Sequence, residues 1–257
     1  AQHTGRVCGN IAALLSAHQS IGVPQPLLMY GTEQQKQKYL PKFSAGEVSA
    51  FALTEDGVGS DPAQMKTVAE LDNNGDYIIN GEKLWCTNGV KASTIIVMAR
   101  TADNKRGKKQ ISAFIVEMDT PGVTIVTRCR FMGLKALYNG VVRFKDVRIP
   151  KDNIILGEGK GMRVALNTLN IGRLTLPAIC VGGAKEALAD KLARMAGDVY
   201  AMDAMVELCT NIVDKKNADI RVESAMAKMW ATEAYWRIVD DTMQMKGGRG
   251  YETVESL

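Results

Sequence analysis

The sequence predicts an α+β protein, with a central antiparallel β-barrel or sandwich domain flanked by N-terminal helices and a C-terminal helical bundle. Three observations carry that prediction. Apolar residues recur at helical spacing before about Val48 and again after about Gly161, but not between. In the middle stretch, short β-type segments follow one another at residues 50–54, 68–71, 77–80, 82–86, 93–100, 111–117, 123–127 and 141–147. Turn signals such as Asp72-Asn73-Asn74-Gly75, Pro121-Gly122 and Asn139-Gly140 separate them, and no helical pattern intervenes, which argues against a doubly wound sheet. The implied parts are residues 1–47, 48–155 and 156–257, with the last pattern interrupted near 188–190.

From Gly5 to about Ile21, the spacing of Val7, Ile11, Leu14, Leu15 and Ala17 predicts a buried helix that Gly22, Pro24 and Pro26 stop. His18 at its end reads better as bonded to neighbouring backbone than as a catalytic or metal-binding residue, because only His3 accompanies it. Thr32 with Gln35 makes a capping box for a helix over 33–39, which Pro41 closes. After the β segments, Pro150 and the glycines of Leu156-Gly157-Glu158-Gly159-Lys160-Gly161 mark the exit. No Ser or Thr follows that lysine, so the run reads as a flexible turn into a helix and not as a phosphate loop. Helices are expected over 162–188, 191–213 and 220–245; in the last, Val222, Met226, Met229 and Ile238 draw one apolar face, expected to be core.

With 257 residues, 46% apolar and 23% charged, the chain can bury one large core or two smaller ones, as an ordinary soluble enzyme does. The net charge of +4 is spread along the chain, its one cluster at 104–109 reads as a solvated loop, and nucleic acid is not indicated. Five cysteines without a C-x-x-C read as reduced packing residues, which disfavours zinc and disulfide frameworks and suggests a reducing compartment. No apolar run approaches the roughly 20 residues that span a bilayer. The chain opens in mid-pattern at Ala1, so the lack of a signal peptide excludes no targeting segment.

The chemistry concentrates in two stretches. In Phe51-Ala52-Leu53-Thr54-Glu55-Asp56-Gly57-Val58-Gly59-Ser60-Asp61, a strand runs into a loop of hydroxyls, carboxylates and glycines, with Glu55 and Asp56 setting a turn and Asp61 placed to cap the next segment. The glycines leave room for backbone to approach a ligand, yet the spacing is neither G-x-G-x-x-G nor G-x-x-x-x-G-K-[ST]. Some two dozen residues on stands Asn80-Gly81-Glu82-Lys83-Leu84-Trp85-Cys86-Thr87-Asn88-Gly89. Together the two stretches resemble the acyl-CoA dehydrogenase family, whose T-E-x-x-x-G-S-D and G-x-K-x-W-x-[ST]-N-[GA] segments clasp the isoalloxazine of FAD. Further matches in the same order include residues 16–22, 31–41 and 244–251, and the 16–22 stretch is most similar to the very-long-chain branch.

The resemblance implies a set of roles. Phe51, Leu53, Thr54, Gly59 and Ser60 would line FAD, with Thr54 at the pyrimidine edge and Ser60 toward the cofactor phosphate or the CoA thioester. Trp85 would pack on the ring system, with Cys86 beside it and the Thr87 hydroxyl near N5. Gln244, Gly247 and Gly248 match a turn presented to the FAD adenine of a neighbouring subunit, which implies a dimer or a dimer of dimers. Asn170 and Arg173 match the substrate-side helix. Gly172 occupies the position at which some subfamilies carry the catalytic glutamate, so the resemblance puts the base in a motif beyond Leu257, and no catalytic residue is named here. It further implies a long-chain acyl-CoA substrate, for which small Ala17 would leave the acyl tunnel deep. Electron-transfer flavoprotein is the implied acceptor, in the cytoplasm of a bacterium or the mitochondrial matrix of a eukaryote. An acyl-CoA oxidase and a non-catalytic assembly protein keeping the fold are the competing expectations.

Overall fold

The computed structural model describes residues 2–102, 110–186, 192–214 and 219–245. The chain divides into two compact units, residues 17–169 and residues 1–16 with 170–257. The expected loop at 104–109 and the interruption at 188–190 lie outside the described residues, as do Gly247 and Gly248.

The unit of residues 17–169 is built on one sheet. Its strands are β1 (Ser49–Ala52), β2 (Val68–Leu71), β3 (Tyr77–Cys86), β4 (Thr94–Thr101), β5 (Gln110–Glu117), β6 (Val123–Arg128), β7 (Gly140–Ile149) and β8 (Ile154–Ile155). They lie in the order β6-β7-β3-β2-β4-β5-β8, with β1 also on β4. The α+β class holds, and most pairings are antiparallel as expected, but β1 and β2 both run parallel to β4, so the sheet is mixed. The register gives the reason. Residues 49–52 face 94–97, and Val68 faces Arg100 further along the same strand. β1 and β2 therefore continue one line beside β4, and residues 53–67, which hold the first motif, are an excursion from that line.

β4 and β5 are apolar throughout because both their faces are covered. Ile95, Val97, Ala99, Phe114 and Val116 enter one core with Ile79, Phe144 and Val147. Their alternates Ile96, Met98, Ile111, Ala113 and Ile115 enter a second core with Val23, Leu27, Tyr39 and Val164. That second core is closed by α3 (Pro24–Tyr30), α4 (Glu33–Ser44) and the start of α5 (Gly161–Glu186). Two prolines act differently from the sequence expectation. Pro24 opens α3, where its fixed φ suits a first turn. Pro41 stands inside α4 and does not end it: the Ala45 N–H still reaches the Pro41 carbonyl at 3.0 Å. The bond Pro41 cannot donate would have gone to the carbonyl of Gln37, an exposed residue that water can serve. The capping box is as expected, with Thr32 Oγ1 accepting the Gln35 N–H at 3.2 Å and the Gln35 side chain accepting the Thr32 N–H at 3.0 Å.

The unit of residues 1–16 and 170–257 is helical, with α1 (Gln2–Val7), α2 (Gly9–Ser16), the later part of α5, α6 (Leu192–Asp214) and α7 (Arg221–Met245). Its core joins Cys180 and Val181 to Met195, Val199 and Met202 of α6 and to Ala231, Ala234 and Ile238 of α7. Two sequence expectations are corrected here. Val7, Ile11 and Leu15 are exposed, because the first helices turn small residues inward: Gly5 stands against the Ile179 backbone, and Ala12 and Ser16 are buried. On α7, Val222, Met226 and Met229 face outward, and Ser224, Ala227, Ala231, Ala234 and Ile238 are the buried stripe. In both cases close helix approach selects the small-residue face, while the bulky face carries the apolar pattern that the sequence displays. Among the described residues one helical stretch, 161–183 of α5, is long and apolar enough to cross a membrane, where the sequence suggested none. Val164 and Ala165 at its start and Cys180 and Val181 near its end are taken up in the two protein cores.

Candidate functional site

The two motif stretches meet at one cavity. Ala17, Ile21, Phe51, Leu53, Thr54, Leu84, Trp85, Thr87 and Leu169 line a space of about 190 Å³. Residues 17–21 form a single π turn, closed by the Gly22 N–H to the Ala17 carbonyl at 2.8 Å, which brings Ala17 and Ile21 to the same wall. Beside it, His18 Nδ1 accepts the Ser49 N–H at 3.1 Å, as the sequence suggested, and burial lowers its pKa. A larger groove of about 660 Å³ lies along α3, α4 and residues 150–157, and none of the motif residues lines it.

The opposite wall is a bulge. Between Lys83 and Cys86 the register of β3 against β7 shifts, and Trp85 adopts φ of 56°, a region that bulky residues seldom enter. The bulge turns the indole out of the core toward the cavity and leaves it 56% exposed, with its ring edge-on to Phe131 at 6.5 Å. Cys86 then returns inward. Its thiol is packed in the sheet core, and burial pushes its pKa to about 12. Ser60 and Gly59 are exposed and outside the cavity lining, beyond the Glu55–Val58 turn. A Cβ at Gly59 would meet nothing within 4 Å, so no close approach explains that glycine within this chain. Asp61 caps the next turn, accepting the Ala63 N–H at 3.2 Å.

Behind the cavity sits a pair that sequence reasoning missed, having given Glu55 only a turn. Lys83 Nζ lies 2.7 Å from Glu55 Oε1, with both side chains inaccessible or nearly so. Lys83 also donates to the Leu53 carbonyl at 3.2 Å, and Glu55 accepts the N–H groups of Lys66 at 2.6 Å and Thr67 at 3.0 Å. Burial would raise the Glu55 pKa, but Lys83 and these donors outweigh it and hold the carboxyl below its ordinary value; for Lys83, burial outweighs Glu55 and lowers the pKa. A signal was present: Tyr77, Ile79 and Lys83 share one parity of β3, so the lysine falls on the inward phase.

The cavity joins apolar walls to two hydroxyls, those of Thr54 and Thr87, and among the described residues neither has a hydrogen-bond partner. Such a space suits a flat conjugated group with acceptors on its edge, and at about 190 Å³ it is below the roughly 300–1,000 Å³ of whole-ligand pockets, so it would take a ring system and not an entire dinucleotide. Asn170 and Arg173 belong to the other unit, where Arg173 Nη1 donates to Asn170 Oδ1 at 3.2 Å. Gln244 lies in the last turn of α7.

The chain belongs to the acyl-CoA dehydrogenase family. Its N-terminal, middle and C-terminal domain models match residues 1–47, 50–147 and 183–257. The chain is 47% identical over 98% of its length to a probable acyl-CoA dehydrogenase, FadE10, of Mycobacterium tuberculosis, covering 42% of that protein. To the very long-chain specific acyl-CoA dehydrogenase of Homo sapiens it is 35% identical over 94% of its length, covering 41%. Among solved structures, an acyl-CoA dehydrogenase of Bacillus anthracis complexed with FAD superposes with a TM-score of 0.89 at 31% identity, over 99% of this chain and 51% of that one. The chain thus spans less than half the length of the curated relatives it matches.

Proposed function

We propose that this protein is an FAD-dependent dehydrogenase of long-chain acyl-CoA thioesters, forming the trans-2-enoyl-CoA, with electron-transfer flavoprotein as acceptor and a homo-oligomer as the working form. One observation carries the flavin reading: Thr54 and Thr87, whose hydroxyls have no partner among the described residues, and the outward-turned Trp85 line a single cavity. Bound FAD would supply the two-electron acceptor for the hydride leaving the β-carbon. Thr54 and Thr87 would donate hydrogen bonds to the ring edge, and Phe51, Leu53 and Leu84 would keep water from it. Glu55 is not the base for the α-proton, because Lys83 and two backbone N–H groups already occupy its oxygens. No other residue of this chain is assigned that task. Ser60, Asn170 and Arg173 are proposed for the thioester end, and Gln244, Gly247 and Gly248 for the neighbouring subunit's adenine.

The long-chain assignment is supported by the small side chain of Ala17 on the cavity wall and by the similarity to the human very long-chain enzyme. By similarity to bacterial and mitochondrial proteins, the location proposed is the cytoplasm or the mitochondrial matrix. Titration of purified protein with FAD, followed by the quenching of flavin fluorescence, tests the cofactor. Saturable binding is expected, and a protein that takes up no FAD overturns the proposal.

A further inference from the structure

Lys83 grips the chain on both sides of Thr54. Its ammonium donates to the carbonyl of Leu53, one residue before, and pairs with the carboxylate of Glu55, one residue after. The carbonyl of Thr54 itself accepts the Leu84 N–H at 2.8 Å, from the residue that follows Lys83. The excursion that carries Thr54 is thereby tied to the bulge that carries Trp85 by three bonds, from Lys83 and Leu84 to residues 53–55. Glu55 extends the tie to the far end of the excursion through the Lys66 and Thr67 N–H groups. A turn needs no buried charge pair, and a core could have used apolar side chains at both positions at no loss of stability. What the pair adds is direction: four bonds with fixed geometry at one point behind the cavity wall.

We infer that the buried Lys83–Glu55 pair is a positioning device for the flavin edge, fixing Thr54 at its distance from Thr87 across the cavity. The inference rests on the flavin reading of the cavity. Its consequence is that removing the pair without destabilising the protein still spoils the site, since a site held loosely by its supporting residues loses affinity even when all its contacts remain present.

The test compares wild type with the double variant Lys83→Met/Glu55→Gln, which removes both charges and nearly keeps both shapes. Chemical unfolding of the FAD-free protein measures the fold, fluorescence titration measures FAD affinity, and visible circular dichroism of bound FAD reports its orientation. The expected result is an unfolding midpoint close to wild type, with FAD bound about tenfold or more weakly and an altered flavin dichroism. A double variant that regains stability and also binds FAD with unchanged affinity and dichroism overturns the inference and assigns the pair a merely structural role. Should the double variant not fold, Glu55→Asp, which keeps the charge and shortens its reach, carries the same comparison with the same two outcomes. If wild type itself binds no FAD, the flavin reading fails, a result distinct from unchanged binding in the variant.

Discussion

His18 Nδ1 accepts the backbone N–H of Ser49 at 3.1 Å and lies 2.8 Å from the Ser49 hydroxyl, so the ring proton resides on Nε2 and the imidazole is neutral. Ser49 opens β1 and its hydroxyl also accepts the Val23 N–H, so this histidine joins the π turn, α3 and the sheet at the rim of the cavity. Protonation would replace the Nδ1 acceptor by a donor facing a donor. The pKa is lowered from 6.5 by burial, below that of the unfolded chain. The stabilisation is therefore fully present above about pH 6.5 and is lost as pH falls toward the folded value. The urea midpoint is expected to be lower at pH 5.5 than at pH 7.5, and the gap is expected to narrow in His18→Gln; an equal gap in both proteins would count against this account.

Lys83→Met alone leaves the Glu55 carboxylate buried without its cation, which costs about 3–5 kcal/mol. Equilibrium urea unfolding of the single variant should show a loss of that size. Glu55 adds an acid limb of its own. Its folded pKa lies below the ordinary 4.5, so its contribution is complete above that pH and disappears as pH falls through the folded value. A wild-type stability curve flat from pH 5 to pH 3 would contradict this.

Gly81 lies at φ 152°, where an added Cβ would stand 2.7 Å from the Thr67 Cα. Backbone cannot yield as a side-chain tip can, so Gly81→Ala must push β3 from the end of the site excursion. A loss of about 1–3 kcal/mol is expected, combining strained backbone and displaced packing. Thermal melting checks it, and a melting temperature equal to that of wild type would show that the strand relaxes freely.

The sequence displayed what periodicity and local chemistry encode: the helix–strand–helix order, the Thr32 capping box, and the turn at 157–161. The site was legible through Phe51, Leu53, Thr54, Trp85 and Thr87, all of which line one cavity. Features set by long-range pairing were not. Nothing local announces that β1 and β2 share one line beside β4, or that Glu55 and Lys83, 28 positions apart, meet in the interior. The segments 77–80 and 82–86 are one strand, in which Gly81 passes close to Thr67. The outward Met226 and Met229 misled for a physical reason as well: the apolar pattern marks a face but does not say which face a neighbouring helix takes.

That distinction on α7 can be measured. Ile238 is 1% exposed, in the core with Cys180 and Met202, so Ile238→Ala should cost about 2–5 kcal/mol. Met226 is 60% exposed, and Met226→Ala should stay within about 0.5 kcal/mol. Parallel urea titrations decide; a large loss in Met226→Ala would mean that its face is covered in the protein in solution.

Thr87 allows binding and chemistry to be separated. Thr87 lines the cavity and its hydroxyl has no partner among the described residues, so Thr87→Val removes a donor while nearly keeping the shape. FAD affinity should change little, because Phe51, Leu53 and Trp85 still line the ring space. A neutral hydrogen bond contributes about 0.5–1.5 kcal/mol net. If that bond strengthens as the flavin edge gains charge, the loss falls on the transition state, and at about 1.4 kcal/mol per tenfold the reduction slows by about two- to tenfold. Ser60 stands outside the cavity lining, so Ser60→Ala should leave the reduction rate intact and weaken FAD or acyl-CoA binding instead. Stopped-flow reduction by a long-chain acyl-CoA resolves the two variants. Slowed reduction in Ser60→Ala with none in Thr87→Val would place the hydroxyl that assists hydride transfer in the exposed loop, and the indole and Thr87 would then serve binding alone.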